Sequence, residues 1–370
     1  MIRRLLLLNG ISILGVILFH SAGWGFVALY FWAHRYMSPD MLMAYDPSSQ
    51  PAYYFLRAVE QIIVFCIPAF LFVSGVFVAI TAGRKQKTVG WNLIGVRLRD
   101  LLIPYLLWST LLLGLMAAEG ITYGVADYLI ILATGRANPA YYYVILLCQF
   151  YLLSPLLVPL ARERPWLLLG VSLVVQTAVQ LLYYPALLGF SIGPLDSLVD
   201  IAPKWFFAVR IFWFSAGIVA GFRLKELEQV IMVWKRPLLL ATLFLIPVGM
   251  IEWEWMLHLS GQSWLDHRET ILDNLYAALF ILTFLAYHRT PLPASDTVSD
   301  LGVKSFGIYV VHSPVMEYAA RAIYHLAPAL LAHQLFLQPF LIVLGLAVPL
   351  LLMAAVQRTP ARQYYKYAFG

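Results

Sequence analysis

A single histidine interrupts a long apolar run. His20 closes the stretch LLLLNGISILGVILFH, and the run continues to Trp32. Imidazole gains and loses a proton near neutral pH, so it serves as a general base or acid. Counted from Leu5 at about 1.5 Å per helical residue, His20 lies about 22 Å into a bilayer. An ionisable group at that depth is costly and marks a functional position. The competing reading is a neutral ring hydrogen-bonded to a neighbouring helix. Asn9 shares its helical face about 16 Å below it, either as contact between helices or as the wall of one vertical channel. Glu60, in RAVEQIIVF, brings a carboxylate to a similar depth. It could orient an imidazole for general-base work, or simply face water at the interface.

Two further groups suit an anionic ligand and a polar cavity. Arg97 and Arg99 stand at the mouth of the run GVRLRDLLIPYLLWS. Planar guanidinium groups match phosphate oxygens, though charge at a span mouth also sets topology. Ser305, Tyr309 and His312, in SFGIYVVHSPV, fall on one helical face and form either packing contacts or a cavity lining. Glu317 and Arg321, four residues apart, can neutralise each other. The eight histidines are scattered, which argues against a metal site. Cys66 and Cys148 form no ligand spacing and read as small buried hydrophobes. The sequence has no P-loop, Rossmann glycine pattern, HExxH or GxSxG.

The elements that must position these residues follow from composition. The 370-residue chain is 62% hydrophobic and 12% charged, against about 25% charged in a soluble domain. Apolar runs of about 20 residues cross a bilayer as helices. The sequence predicts an all-α polytopic membrane helix bundle of about ten transmembrane helices. These lie near 5–31, 58–80, 101–118, 140–160, 166–184, 205–222, 237–257, 270–288, 305–325 and 335–356. The first run lacks a short apolar core with a cleavage site, so it reads as a retained span. Most of the 25 lysines and arginines, including Arg84 and Lys85, then fall on one side. Arg35, Arg57, Arg136, Lys204, Arg210 and Arg268 fall on the other. The positive-inside rule puts both termini in the cytoplasm. The net charge of +6 thus encodes topology and calls for no nucleic-acid partner. Residues 1–370 read as a single transmembrane domain without internal repeats. The outer connections Ala33–Phe55 and Pro185–Trp205 mix aromatic, polar and proline residues, as interfacial anchors or as a surface for a polar substrate.

Five stretches, in order along nearly the whole chain, resemble the integral-membrane acyltransferase-3 family in its stand-alone, sugar O-acetyltransferase-like branch. They are LLLLNGISILGVILFH, ending on His20; IPAFLFVSGVF, with Pro68, Ser74 and Gly75 in register; Arg97 to Ser109; YYYVILLCQFYLLSPLL; and SFGIYVVHSPV. In one place the sequence departs from the family pattern. Asn9 stands where the family usually has an arginine, and Leu6 where it has a nearby aspartate. An asparagine there also occurs in related lysosomal-type transmembrane acetyltransferases.

The resemblance implies acyl transfer at the bacterial inner membrane. The donor would be cytosolic acetyl-CoA, and the acceptor a hydroxyl of an extracytoplasmic glycan or glycolipid. His20 would be catalytic, deprotonating the acceptor hydroxyl or briefly carrying the acyl group, with Glu60 orienting it. Arg97, Arg99, Asn9, Ser305, Tyr309 and His312 would line the donor path, with no metal. Succinyl or longer acyl groups and self-association of the bundle stay open. The competing class is a secondary transporter or exporter, in which repeats and helices broken near the midplane are usual. The sequence shows no repeat and no clear break.

Overall fold

A computed structural model describes residues 2–83, 87–191, 193, 202–262, 265 and 269–370. Arg84, Lys85, Arg268 and, within the Pro185–Trp205 connection, residues 192 and 194–201 lie outside the described residues. Among the described residues every regular element is a helix. The main ones are α1 (Ile2–Tyr30), α2 (Pro51–Ile63), α3 (Cys66–Ala82), α4 (Trp91–Ala118), α5 (Val125–Thr134), α6 (Tyr142–Glu163) and α7 (Pro165–Leu181). After them come α8 (Ile211–Phe222), α9 (Leu224–Val233), α10 (Lys235–Ser260), α11 (Ile271–Ala286), α12 (Ser295–Val303), α13 (Ser305–Leu326) and α14 (Gln334–Arg358).

All ten expected segments fall on helices, but among the described residues six segments are long and apolar enough to cross a membrane. These are α1, the stretch Pro51–Ala82, α4, α6, α10 and α14. Helices α7, α8 and α11 are apolar but have only 17, 12 and 16 residues. At 1.5 Å per residue they fall short of a hydrocarbon core about 30 Å thick. Helix α13 has the length, with 22 residues, but carries the polar stripe.

One sequence expectation is corrected. The second apolar segment is broken at Val64 and Phe65, between α2 and α3. Pro68 explains the break, because it has no N–H to donate to the Val64 carbonyl. The ladder restarts from Phe65, whose carbonyl accepts from the Ala69 N–H at 2.8 Å.

Contacts between helix ends sort the bundle into two faces. At the Arg3 end, Arg3 pairs with Asp296, Arg4 donates to the Phe284 carbonyl at 3.2 Å, Arg162 donates to the Gly83 carbonyl, and Glu228 meets His288 at 3.0 Å. At the Tyr30 end, Arg35 donates to the Tyr324 carbonyl at 3.2 Å and Arg321 pairs with Glu119 at 2.7 Å. Helix α1 is central. It packs on α3, α12, α13 and α14, and small residues set its approach. A Cβ on Gly10 would run into the backbone of Val298 in α12, as expected where helices pack without a hydrophobic drive from lipid.

Candidate active site

Toward the Tyr30 end, a cavity of about 280 Å³ opens beside α1. One wall is Val16, Phe19 and the half-buried His20. The break between α2 and α3 supplies Val64, Cys66 and Ile67. The junction of α2 and α3 thus forms part of the cavity wall that faces His20.

The far wall is polar. The Arg210 guanidinium binds the Glu269 carboxylate through Nε, 3.1 Å from both oxygens, and through Nη2 at 3.0 Å. Its Nη1 donates to the Lys204 carbonyl at 3.0 Å, and it lies 5.4 Å from the Tyr142 ring. The side chains are 6% and 11% exposed, so each charge depends on the other for solvation. Gln180 and Tyr183 complete this face. Sequence reasoning placed Arg210 only among topogenic charges and passed over Glu269. The available signal was their position at the heads of the apolar runs that became α8 and α11, but a charge at a span end ordinarily reads as an anchor.

Helix α13 closes the third side. Tyr309 lines the cavity, and its hydroxyl donates to the Ala140 carbonyl. His312 sits one turn further, fully buried and absent from the lining. The His20 and His312 rings are 5.2 Å apart between centroids, inclined at 58°. The spacing of Tyr309 and His312 thus brings both to His20, as a single helical face requires.

The other candidates lie elsewhere. Glu60 pairs with Arg57, one turn before it, both side chains buried. Arg57 in turn lies 4.3 Å over the Trp253 ring. The carboxylate is committed to that arginine, so the structure does not bring Glu60 to His20. Asn9 and Ser305 lie on α1 and α13, toward the Arg3 end. The Asn9 Oδ1 is buried with no hydrogen-bond partner among the described residues. Arg97 and Arg99 are exposed on α4. Arg97 borders a cleft of about 10 Å³ with Phe77, Thr81 and Tyr151, space for about one water. Arg99 pairs with Asp100 at 3.2 Å. The arginines therefore present open charge at the Arg3 end rather than a preformed pocket. Among the described residues no three His, Cys, Asp or Glu side chains gather as metal ligands would.

The arrangement suits proton transfer at a half-enclosed histidine, with polar groups opposite to hold a hydroxylated molecule. Comparison with known proteins agrees with a transferase. The searches of curated proteins and of solved structures each returned no match. A family model described as an acyltransferase domain matches residues 3–356. With nearly the whole chain inside that match, the protein belongs to the integral-membrane acyltransferase-3 family.

Proposed function

We propose that this membrane acyltransferase moves an acetyl group from cytosolic acetyl-CoA to a hydroxyl of an extracytoplasmic glycan or glycolipid, at a bacterial inner membrane. One observation carries the reading: the cavity holding His20 lies toward one end of the bundle, and the exposed pair Arg97 and Arg99 lies at the other. An acyl thioester entering past the arginines and an acceptor entering past Arg210 and Glu269 would meet at His20.

Each residue has a task in this scheme. Arg97 and Arg99 attract the donor's phosphates. Asn9, with its buried Oδ1 unpartnered among the described residues, accepts an amide N–H of the donor arm, so the residues present fit such a ligand. Ser305 lies on the same path. Gln180 and the Arg210–Glu269 pair hold the sugar hydroxyls. His20 removes the acceptor's proton as its oxygen bonds to the acyl carbon, and returns that proton to the departing thiolate. Glu60 keeps its negative charge occupied by Arg57, so the orienting role expected of it passes to another group.

The direct test is transfer of radiolabelled acetyl from acetyl-CoA to the envelope glycan and glycolipid fraction, by purified wild type and His20→Ala at matched amounts. A positioned base contributes about 10²–10⁴-fold, so the variant should lose at least about a hundredfold in turnover with unchanged acetyl-CoA binding. A variant that keeps half its turnover makes His20 structural and removes the mechanism.

The break between α2 and α3 favours a second reading, because exporters place substrate at interrupted helices. Stabilisation by acetyl-CoA separates the two. An exporter's melting temperature would not rise with the donor, whereas a site that binds it at a hundred times Kd gains about 2.7 kcal/mol.

A further inference from the structure

His312 stands behind His20, out of reach of anything in the cavity. Its Nδ1 lies 2.7 Å from the Tyr309 carbonyl oxygen and 3.2 Å from that of Ile308. A carbonyl oxygen only accepts, so in the neutral ring Nδ1 carries the proton and the lone pair sits on Nε2. That Nε2 is buried and meets no hydrogen-bond partner among the described residues. A buried acceptor left in this state is costly and calls for an explanation.

The neighbouring imidazole supplies one. The His20 centroid is 5.2 Å away, and two imidazoles joined by an N–H···N bond of about 2.9 Å have centroids about 5 Å apart. The rings are thus at bonding separation, and rotation of His20 about its soft terminal torsion completes the bond. His20 makes no hydrogen bond among the described residues. The carboxylates that might have served it are taken, Glu60 by Arg57 and Glu269 by Arg210.

We infer that His312 is the positioning residue for His20: its Nε2 accepts the His20 ring N–H and so turns the lone pair of the other His20 nitrogen toward the cavity. The inference rests on the reading of His20 as the base, and it moves His312 from the donor path to a place behind the reacting centre. During transfer the acceptor's O–H proton passes to the cavity-facing nitrogen of His20 as the new C–O bond forms. The thioester C–S bond breaks, and the same proton leaves on the sulfur as a thiol. While His20 carries both protons, its second N–H stays on His312 Nε2. The His312 proton stays on Nδ1, donated to the Tyr309 carbonyl oxygen, throughout. The fold thereby fixes the tautomer of a membrane histidine with a neutral ring instead of a carboxylate, which avoids burying another charge.

The experiment compares His312→Leu with His312→Gln, whose Oε1 can accept near the place of Nε2. Two readouts are taken on purified full-length protein: acetyl transfer from acetyl-CoA to the envelope glycan fraction, and ring-nitrogen NMR of histidine-labelled protein with His20 assigned by its loss in His20→Ala. His312→Leu should lower kcat about a hundredfold or more with KM for acetyl-CoA within about threefold, and His312→Gln should recover to within about tenfold of wild type. His20 should show one tautomer in wild type and in His312→Gln, and a mixture in His312→Leu. Unchanged kcat in His312→Leu, or a loss carried by KM for acetyl-CoA alone, overturns the inference while leaving His20 as the base. Activity surviving in His20→Ala refutes the base instead, and the NMR arm still decides whether His312 holds the ring. Should His312→Leu fail to reach the membrane, His312→Gln against His312→Asn gives the same comparison, because the shorter amide cannot reach His20.

Discussion

Arg210 and Glu269 stand 59 residues apart in the chain and meet through three hydrogen bonds of 3.0–3.1 Å in the wall opposite His20. The pair ties the head of α8 to the segment that leads into α11. It also gives the cavity a buried ion pair, in a wall shared with Gln180 and Lys204. Removing one partner leaves the other charge buried, a loss of about 3–5 kcal/mol, whereas replacing both with apolar side chains is near neutral. Arg210→Met alone should therefore lower the melting temperature markedly, and Arg210→Met with Glu269→Leu should restore most of it. The restored protein should still bind acceptor at least about tenfold more weakly, the worth of about one charge-assisted hydrogen bond. Melting curves in detergent and acceptor KM test this. A double variant with wild-type acceptor KM would remove the pair from the acceptor site.

Arg97 and Arg99 should govern donor affinity. Replacing both with Gln should weaken acetyl-CoA binding about tenfold or more, since each charge-assisted contact is worth about 1.5–3 kcal/mol. Both side chains are exposed, so the difference from wild type should shrink as salt rises. Calorimetric titration with acetyl-CoA at low and high ionic strength checks both effects. Equal affinities in a folded double variant would leave these arginines a purely topogenic role.

Gly75 and Gly217 should be intolerant of any side chain. A Cβ on Gly75 would lie 2.9 Å from the Ile218 backbone nitrogen and 3.0 Å from the Gly217 Cα, and one on Gly217 would lie 2.8 Å from the Phe72 carbonyl carbon. The obstructing atoms are backbone, so α3 and α8 would have to separate. Gly75→Ala and Gly217→Ala should each cost about 1–3 kcal/mol, read as a lower melting temperature with unchanged acetyl-CoA affinity in the folded fraction. A thermally unaffected Gly217→Ala would show that the helices can part freely. The glycine of the FVSGVF stretch thus has a packing reason.

The orientation of the bundle is open to direct labelling. Cysteines placed singly at Lys87 and at Met43, both exposed, report opposite ends in a background where the buried Cys66 and Cys148 are replaced by Ala. An impermeant maleimide on intact cells should label position 43 and spare position 87. The reverse pattern would put the termini outside and invert the roles of the two mouths.

The sequence by itself determined the membrane class, the helical content and the place of each long apolar segment. These depend on local composition, and a bilayer leaves the backbone few alternatives. It also singled out His20, because an ionisable residue in an apolar run is visible without knowledge of its neighbours. The face shared by Tyr309 and His312 was legible for the same reason, as helical periodicity is local. The pairing of Arg57 with Glu60, three residues apart, was within reach of the sequence and was overlooked in favour of a longer-range partner for the carboxylate. Only the tertiary structure decided which elements surround His20. Arg210 with Glu269, Gln180 and His312 come from four separate stretches, and no spacing rule links them to residue 20. The break at Val64 and Phe65 required both levels: Pro68 removed one hydrogen bond, and packing against α1 placed the junction in the wall of the cavity that holds a histidine.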